Sequence, residues 1–190
     1  MTGEAEQAVV AYPGGIRARY RWAGTGRGAE VFALSEAGGA LHDYGDRVSP
    51  TFERLCRAEL RVESPAGTWA ARLASPLFDR PSGTAWDTAG LLVVKYGFAT
   101  YGLDARTGDL RWLHRSGSPV VAVLGSSRLE HVIVQAEVET FAVEADGAVR
   151  WRVAHSDVVA EAEIVGGRLV LTSYGGVVAA LDAASGRPAG

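Results

Sequence analysis

The sequence is short of residues on which several kinds of chemistry depend. Its 190 residues include one cysteine, Cys56, one lysine, Lys95, and no asparagine. A single cysteine excludes an intramolecular disulfide and a thiol redox pair. No apolar run approaches the roughly 20 residues of a membrane-spanning helix, so we expect no membrane partner. No two of the four histidines have metal-ligand spacing such as H-x-x-x-H, and we expect no metal site.

Basic residues are also outnumbered by acidic ones. The formal net charge is -3, which argues against a nucleic-acid partner, because nucleic-acid-binding proteins usually carry a basic patch. The first ten residues, MTGEAEQAVV, have acids where a secretory signal has basic residues, and this favours a cytoplasmic location. With 47% hydrophobic and 22% charged residues, the composition is that of one globular domain over residues 1–190.

Similar segments recur along the chain at intervals of about 40 residues. The stretch LDARTGDLRW at 103–112 is followed by VEADGAVRW at 143–151 and by LDAASGRP at 181–188. Earlier stretches that combine a Gly-containing turn with a closing Trp end at Trp22 and Trp69. A period near 40 residues is typical of four-stranded propeller blades or of helical repeats.

Local patterns favour strands over helices. CRAELRVE at 56–63 alternates apolar and charged residues, with Cys56, Ala58, Leu60 and Val62 on one side, as a half-buried strand does. The links RTG, ADG, PAG and PGG are typical of tight turns, since Gly accommodates positive φ. One short helix is predicted near 49–56, with Ser49 as its cap and Pro50 at its first position.

LDARTGDLRW resembles the Trp-docking repeat of the PQQ-like, quinoprotein-type β-propellers, in which an Ala-Leu-Asp sequence and a Thr-Gly link precede a closing Trp. The resemblance implies an all-β fold, a small β-propeller of about four blades built from four-stranded repeats of about 40 residues. The units would end near Trp22, Trp69, Trp112 and Trp151, with a final partial unit to 190, and each Trp would pack on a neighbouring blade. The structural repeat residues are Trp22, Trp69, Leu103, Asp104, Gly108, Trp112, Gly147, Trp151, Leu181, Asp182 and Gly186.

The final unit lacks a closing Trp, whereas the amino-terminal segment offers a spare hairpin arm. We therefore predict that the propeller closes by pairing residues 16–22 beside residues 177–183. The alternative is an open half-ring completed by a second copy, because an uncovered sheet edge invites association. The chain is accordingly expected to be a monomer or a homodimer.

The resemblance also suggests another function for the chain, that of a cofactor-binding quinoprotein-like enzyme that uses the central funnel. Such enzymes hold a quinone with calcium ligands and, in many, a vicinal disulfide, and neither feature can be aligned to this sequence. We therefore expect no cofactor and no catalytic residues. GTGRG at 24–28 is interpreted as an inter-blade loop, LHDYGD at 41–46 as a polar turn, and Cys56 as a buried apolar residue.

Loops in equivalent positions of successive blades emerge on one face of a propeller. This relation predicts a binding rim formed by Arg27, His114, Arg115, His155 and Asp157. The favoured function is a non-enzymatic binding or scaffold module for a protein partner, acting through loops on a rigid frame. Two alternatives remain open: a subunit or fragment of a larger propeller assembly, and the quinoprotein-like enzyme.

Overall fold

A computed structural model describes residues 5–25, 39–47 and 55–190, which form four β-sheets arranged in chain order. The predicted all-β propeller of about four blades is thereby confirmed, with five, four, four and three strands in the successive sheets. Successive side chains of a strand point to opposite sides of its sheet, and most strands offer an apolar side to a neighbouring sheet.

The first sheet has the strand order β1-β2-β4-β5-β3. Four strands are antiparallel neighbours, and β3 adds to the outer edge of β5 as a parallel strand, with Ala40 opposite Trp69. The chain enters β3 within the long connection between β2 and β4. The strands are β1 Glu6–Tyr12, β2 Ile16–Ala23, β3 Ala40–Asp43, β4 Cys56–Ser64 and β5 Gly67–Ser75.

The second and third sheets are four-stranded antiparallel meanders, and the fourth has three strands. The second sheet comprises β6 Ser82–Trp86, β7 Leu91–Tyr96, β8 Ala99–Asp104 and β9 Leu110–Arg115. The third comprises β10 Val120–Leu124, β11 Val132–Ala136, β12 Glu139–Val143 and β13 Val149–Ala154, and the fourth β14 Val159–Val165, β15 Arg168–Ser173 and β16 Val178–Asp182. Short 3-10 helices in the described residues span Gly45–Arg47 and Asp87–Ala89.

Apolar cores fill the spaces between neighbouring sheets. Tyr20 and Trp69 of the first sheet pack with Tyr101 and Leu103 of the second. Corresponding clusters join the second sheet to the third and the third to the fourth. Burial at about 25 cal/mol per Å² of apolar surface makes these cores the main force that holds the sheets side by side.

The predicted closure between residues 16–22 and 177–183 is wrong. Strand β2 is hydrogen-bonded to β1 on one side and to β4 on the other, so it has no free edge for another strand. Strand β16 pairs with β15, and its other edge meets Pro188 through a bridge at Leu181. Within the described ranges the sheets therefore form an open row.

The helix predicted near 49–56 falls mostly outside the described residues. Its last residue, Cys56, is the first residue of β4, so the prediction is wrong at that position. Arg57 and Glu59, on the side of β4 predicted to be exposed, are also buried. None of the described residues forms a helix with the length and hydropathy needed to cross a membrane.

Candidate functional site

Trp69, Trp112 and Trp151 share one arrangement, in which the indole lies against a glycine in the turn of the next sheet. A Cβ added to Gly108 would lie 2.5 Å from Cε3 of Trp69, and one added to Gly186 would lie 2.5 Å from Cε3 of Trp151. These glycines have φ of +80° and +70°, so they suit both the turn and the close approach. A Cβ added to Gly147 would lie 2.7 Å from Cβ and 2.9 Å from Cγ of Trp112, so this glycine approaches the base of the side chain.

The aspartates of the repeat hold these turns. Asp104 accepts hydrogen bonds from the backbone N–H groups of Arg106 and Thr107 through one carboxylate oxygen. Burial acts to raise the pKa of Asp104, but these hydrogen bonds and Arg111 outweigh it, and the pKa is lowered. Hydrogen bonds from Ser185 similarly lower the pKa of Asp182. The carboxylates therefore shape the surface against which the indoles dock.

Trp22 does not belong to this series. It lies in β2, in the same sheet as Trp69, with the guanidinium of Arg80 5.7 Å from its ring centroid. Trp22 and Trp69 therefore lie in one sheet, whereas the sequence pattern placed them at the ends of two separate repeat units. The sequence pattern misled because β2 and β4 are neighbours in space despite the long connection between them.

His114, predicted to lie on a binding rim, contributes to the contact between sheets. Its Nε2 donates to the carbonyl oxygen of Gly147 at 2.7 Å, and its ring lies 5.6 Å from that of Trp112. In the same manner, Nε2 of His42 donates to the carbonyl oxygen of Thr107, and Nε2 of His131 donates to that of Ala183, each at 2.8 Å. Sequence reasoning missed this pairing, because His42 and His131 lie far from their tryptophans along the chain.

The LHDYGD segment likewise supports the docking turn. Beside the hydrogen bond from His42, the hydroxyl of Tyr44 donates to the carbonyl oxygen of Gly108 at 2.8 Å. Cys56 is buried, and burial raises the pKa of its thiol. Among the described residues no group of three or more His, Cys, Asp and Glu side chains is placed to hold a metal ion.

Of the predicted rim, His155 and Asp157 line one pocket. Its volume is 240 Å³, and it lies between the loop after β13 and the loop between β15 and β16. Arg115 is an exposed residue at the end of β9, and Arg27 lies outside the described residues. The pocket is lined by Ala154, His155, Ser156, Asp157, Val159, Leu171, Ser173, Val177 and Ala179.

His155 is fixed by a chain of hydrogen bonds. Its Nε2 lies 2.5 Å from the Thr140 hydroxyl, which donates to the side-chain oxygen of Gln135 at 2.5 Å. The hydroxyl uses its proton toward Gln135, so it accepts from His155, and Nε2 carries the hydrogen. Burial lowers the pKa of His155, because the charged imidazolium is disfavoured away from water.

Large apolar side chains stand exposed beside this pocket. Tyr174 is 77% exposed, and Val177 and Val178 are each 64% exposed. Val138, on the neighbouring turn of the third sheet, is 39% exposed. We call Val138, Tyr174, Val177 and Val178 the apolar loop patch. Nothing in the sequence distinguished these residues, because the same residue types fill the buried strands.

The sheets and the docked tryptophans define a β-propeller protein. Residues 99–189 match the family model for PQQ-type repeats that is described as outer membrane protein assembly factor BamB. The resemblance of LDARTGDLRW to the PQQ-type repeats is thereby confirmed over residues 99–189.

Solved structures show the same fold. BamB from Moraxella catarrhalis is 16% identical, with a TM-score of 0.55 over 95% of this chain and 59% of that chain. HIRA(644-1017) is 11% identical, with a TM-score of 0.51 over 94% and 50% of the two chains. The designed protein Ika8 is 13% identical, with a TM-score of 0.51 over 70% and 44%. This chain thus spans 59% of the BamB structure. No curated protein sequence matches it.

Proposed function

We propose that this protein is a non-enzymatic binding module that holds a partner protein at the apolar loop patch and the adjoining pocket. This proposal rests on one observation: Tyr174 and Val177 are exposed beside a pocket of 240 Å³. Exposed aromatic and aliphatic residues beside a concave surface are typical of protein interaction sites. The description of the matching family as an assembly factor agrees with a role in protein association.

The pocket suits an apolar side chain flanked by a hydrogen-bonding or basic group. Val159, Leu171, Val177 and Ala179 provide apolar walls. Asp157 is exposed at the mouth, where one carboxylate oxygen accepts from the N–H of Val158 and the other has no hydrogen-bond partner among the described residues. The hydrogen-bond chain through Thr140 holds the His155 ring in place, so this wall is formed before binding.

The test is quantitative affinity capture from the native host, followed by binding measurements with the captured protein in pure form. We expect Tyr174→Ala and Val177→Glu each to weaken binding at least tenfold, with the fold intact by circular dichroism. Phe78→Ala is the matched control, since Phe78 is 56% exposed on a different loop. Equal binding by the wild type and both site variants would contradict the proposal.

The alternative of a subunit or fragment of a larger propeller assembly is supported by the open row of sheets and by the 59% coverage of the BamB structure. The quinoprotein-like enzyme has no such observation in its favour. The absence of a nucleic-acid or membrane partner and the cytoplasmic location stay predictions.

A further inference from the structure

The pocket beside the apolar loop patch is backed by a buried chain of hydrogen bonds, and this chain has a defined direction. The side-chain nitrogen of Gln135 donates to the carbonyl oxygen of Ala136 at 2.7 Å and to that of Glu139 at 3.3 Å. The amide oxygen of Gln135 therefore faces Thr140 and accepts the proton of its hydroxyl. Gln135 and Thr140 are fully buried, so both side chains are shielded from solvent.

This direction decides which atom His155 offers to the pocket. The Thr140 hydroxyl has used its proton, so it accepts from Nε2 of His155, and the neutral ring carries its hydrogen there. Nδ1 is then a hydrogen-bond acceptor, and it makes no hydrogen bond with any described residue. Burial lowers the pKa of His155, which favours this neutral ring. The imidazole thus presents an acceptor to a group that enters the pocket.

A carboxylate stands at the same pocket. Asp157 accepts from the N–H of Val158 through Oδ1 at 2.8 Å, and Oδ2 makes no hydrogen bond within the described residues. A Cβ added to Gly175 would lie 3.6 Å from Oδ2 of Asp157 and 3.6 Å from Oγ of Ser173, so the carboxylate reaches the loop between β15 and β16. Of the described residues that line the pocket, only Asp157 carries a formal charge. The pocket therefore favours a cationic donor.

Much of the remaining lining is apolar, including Val159, Leu171 and Val177. The N–H of Tyr174 donates to the carbonyl oxygen of Val158 at 3.0 Å, which ties together the two loops that flank the pocket. The pocket is accordingly formed before a partner binds. Its volume of 240 Å³ is below the roughly 300–1,000 Å³ of sites for drug-sized ligands, so it suits a single side chain.

We propose that this pocket binds a lysine side chain of the partner protein. The four-carbon stem packs on Val159, Leu171 and Val177, as the stems of charged side chains do when the charged end stays at the wet edge. The ammonium group donates to Oδ2 of Asp157, with Nδ1 of His155 as the second acceptor. This inference rests on the proposed function and adds a specificity to it, since the apolar loop patch contributes affinity and the pocket selects lysine.

The geometry favours lysine over arginine. A guanidinium binds a carboxylate best through two parallel hydrogen bonds, one to each oxygen. In Asp157 the backbone N–H of Val158 already engages Oδ1, so only Oδ2 is without a partner among the described residues. An ammonium group is a compact charge that needs one such oxygen.

The test is an NMR titration of the full chain with blocked single residues, namely the N-acetyl methylamides of lysine, norleucine and arginine. Norleucine has an apolar stem of the same length without the ammonium group. We expect the lysine probe to shift the signals of the pocket residues and to bind about fivefold more tightly than norleucine, as for a favourable surface ion pair. Long-range proton–nitrogen spectra should show the hydrogen of His155 on Nε2.

Asp157→Asn removes the charge with little change of shape and should abolish the preference for lysine over norleucine. Asp146→Asn is the matched control, because Asp146 is also exposed and also accepts from a backbone N–H, in the turn between β12 and β13. It should leave the preference unaltered. Norleucine or arginine binding as tightly as lysine, a preference that survives Asp157→Asn, or no shift of the pocket signals at any soluble lysine concentration overturns the lysine site.

Failure of the lysine site is distinguishable from failure of the proposed function. Binding of the captured partner protein is measured with Tyr174→Ala and with Asp157→Asn. A loss in both variants supports both proposals. A loss with Tyr174→Ala alone means that the apolar loop patch binds a partner but that the lysine site is wrong. No loss with either variant means that the proposed function is wrong as well.

Discussion

The indole of Trp69 lies directly against Gly108, and the two residues belong to neighbouring sheets. The indole Nε1 donates to the carbonyl oxygen of Ala105 at 3.1 Å, so the ring is held by both a close contact and a hydrogen bond. Trp69 is 1% exposed. Each docked indole therefore joins two neighbouring sheets, and the integrity of the row depends in part on these contacts.

The first prediction concerns the close approach at Gly108. Gly108→Ala should lower the free energy of unfolding by about 2–4 kcal/mol, because a Cβ adds overlap with Trp69 to the cost of positive φ. Gly176→Ala is the control, since Gly176 also has φ of +80° but nothing lies within 4 Å of its added Cβ. Chemical denaturation measures both. Equal losses in the two variants would show that the approach to Trp69 contributes nothing.

The second prediction compares two docked tryptophans. Trp69→Ala should cost about 3–5 kcal/mol of stability, as expected for a fully buried indole. Trp151→Ala should cost less, because Trp151 is half-buried and its indole N–H has no hydrogen-bond partner in the part of the chain that the structure describes. The midpoints and slopes of urea unfolding give both values. The reverse order would contradict the assignment of Trp69 as the stronger contact.

The third prediction concerns the ion pair of the buried Lys95 with the half-buried Asp79. The ammonium group donates to both carboxylate oxygens at 2.9 Å, and Asp79 also accepts from the N–H of Gly97. Asp79→Ala should cost about 3–5 kcal/mol, because it leaves the buried Lys95 charge unpaired. Lys95→Met in the same background should recover part of that loss in thermal unfolding. No recovery would mean that the charge is not the cause.

The fourth prediction is a pH dependence from His155. Its folded-state pKa is lowered by burial, so the unfolded chain binds the proton more readily. Stability from this group is therefore complete above the unfolded pKa of about 6.5 and is lost as the pH falls below it toward the folded pKa. His155→Gln should flatten the stability profile on the acid side. Parallel profiles of wild type and variant would refute this role.

The propeller could be recognised from sequence because its blades carry a local signature. The turns at Gly108 and Gly186 each need a glycine, and the residues that shape each turn lie within ten positions of one another. The binding rim stays a prediction, and the sequence did not indicate that His114 donates to a carbonyl oxygen 33 residues away. The apolar loop patch could not be predicted, because Val177 and Val178 resemble the buried valines of any strand.

The sequence by itself determined the period and the strand character, both of which follow from residue type and short spacing, and it indicated that each closing Trp packs on a neighbouring blade. Only the tertiary structure decided that Trp22 and Trp69 share a sheet, that β2 is paired on both sides, and that the row stays open. These features depend on which strand edges meet. Edge pairing is set by hydrogen bonds between backbones far apart in the chain, and the backbone has the same donors and acceptors in nearly every residue.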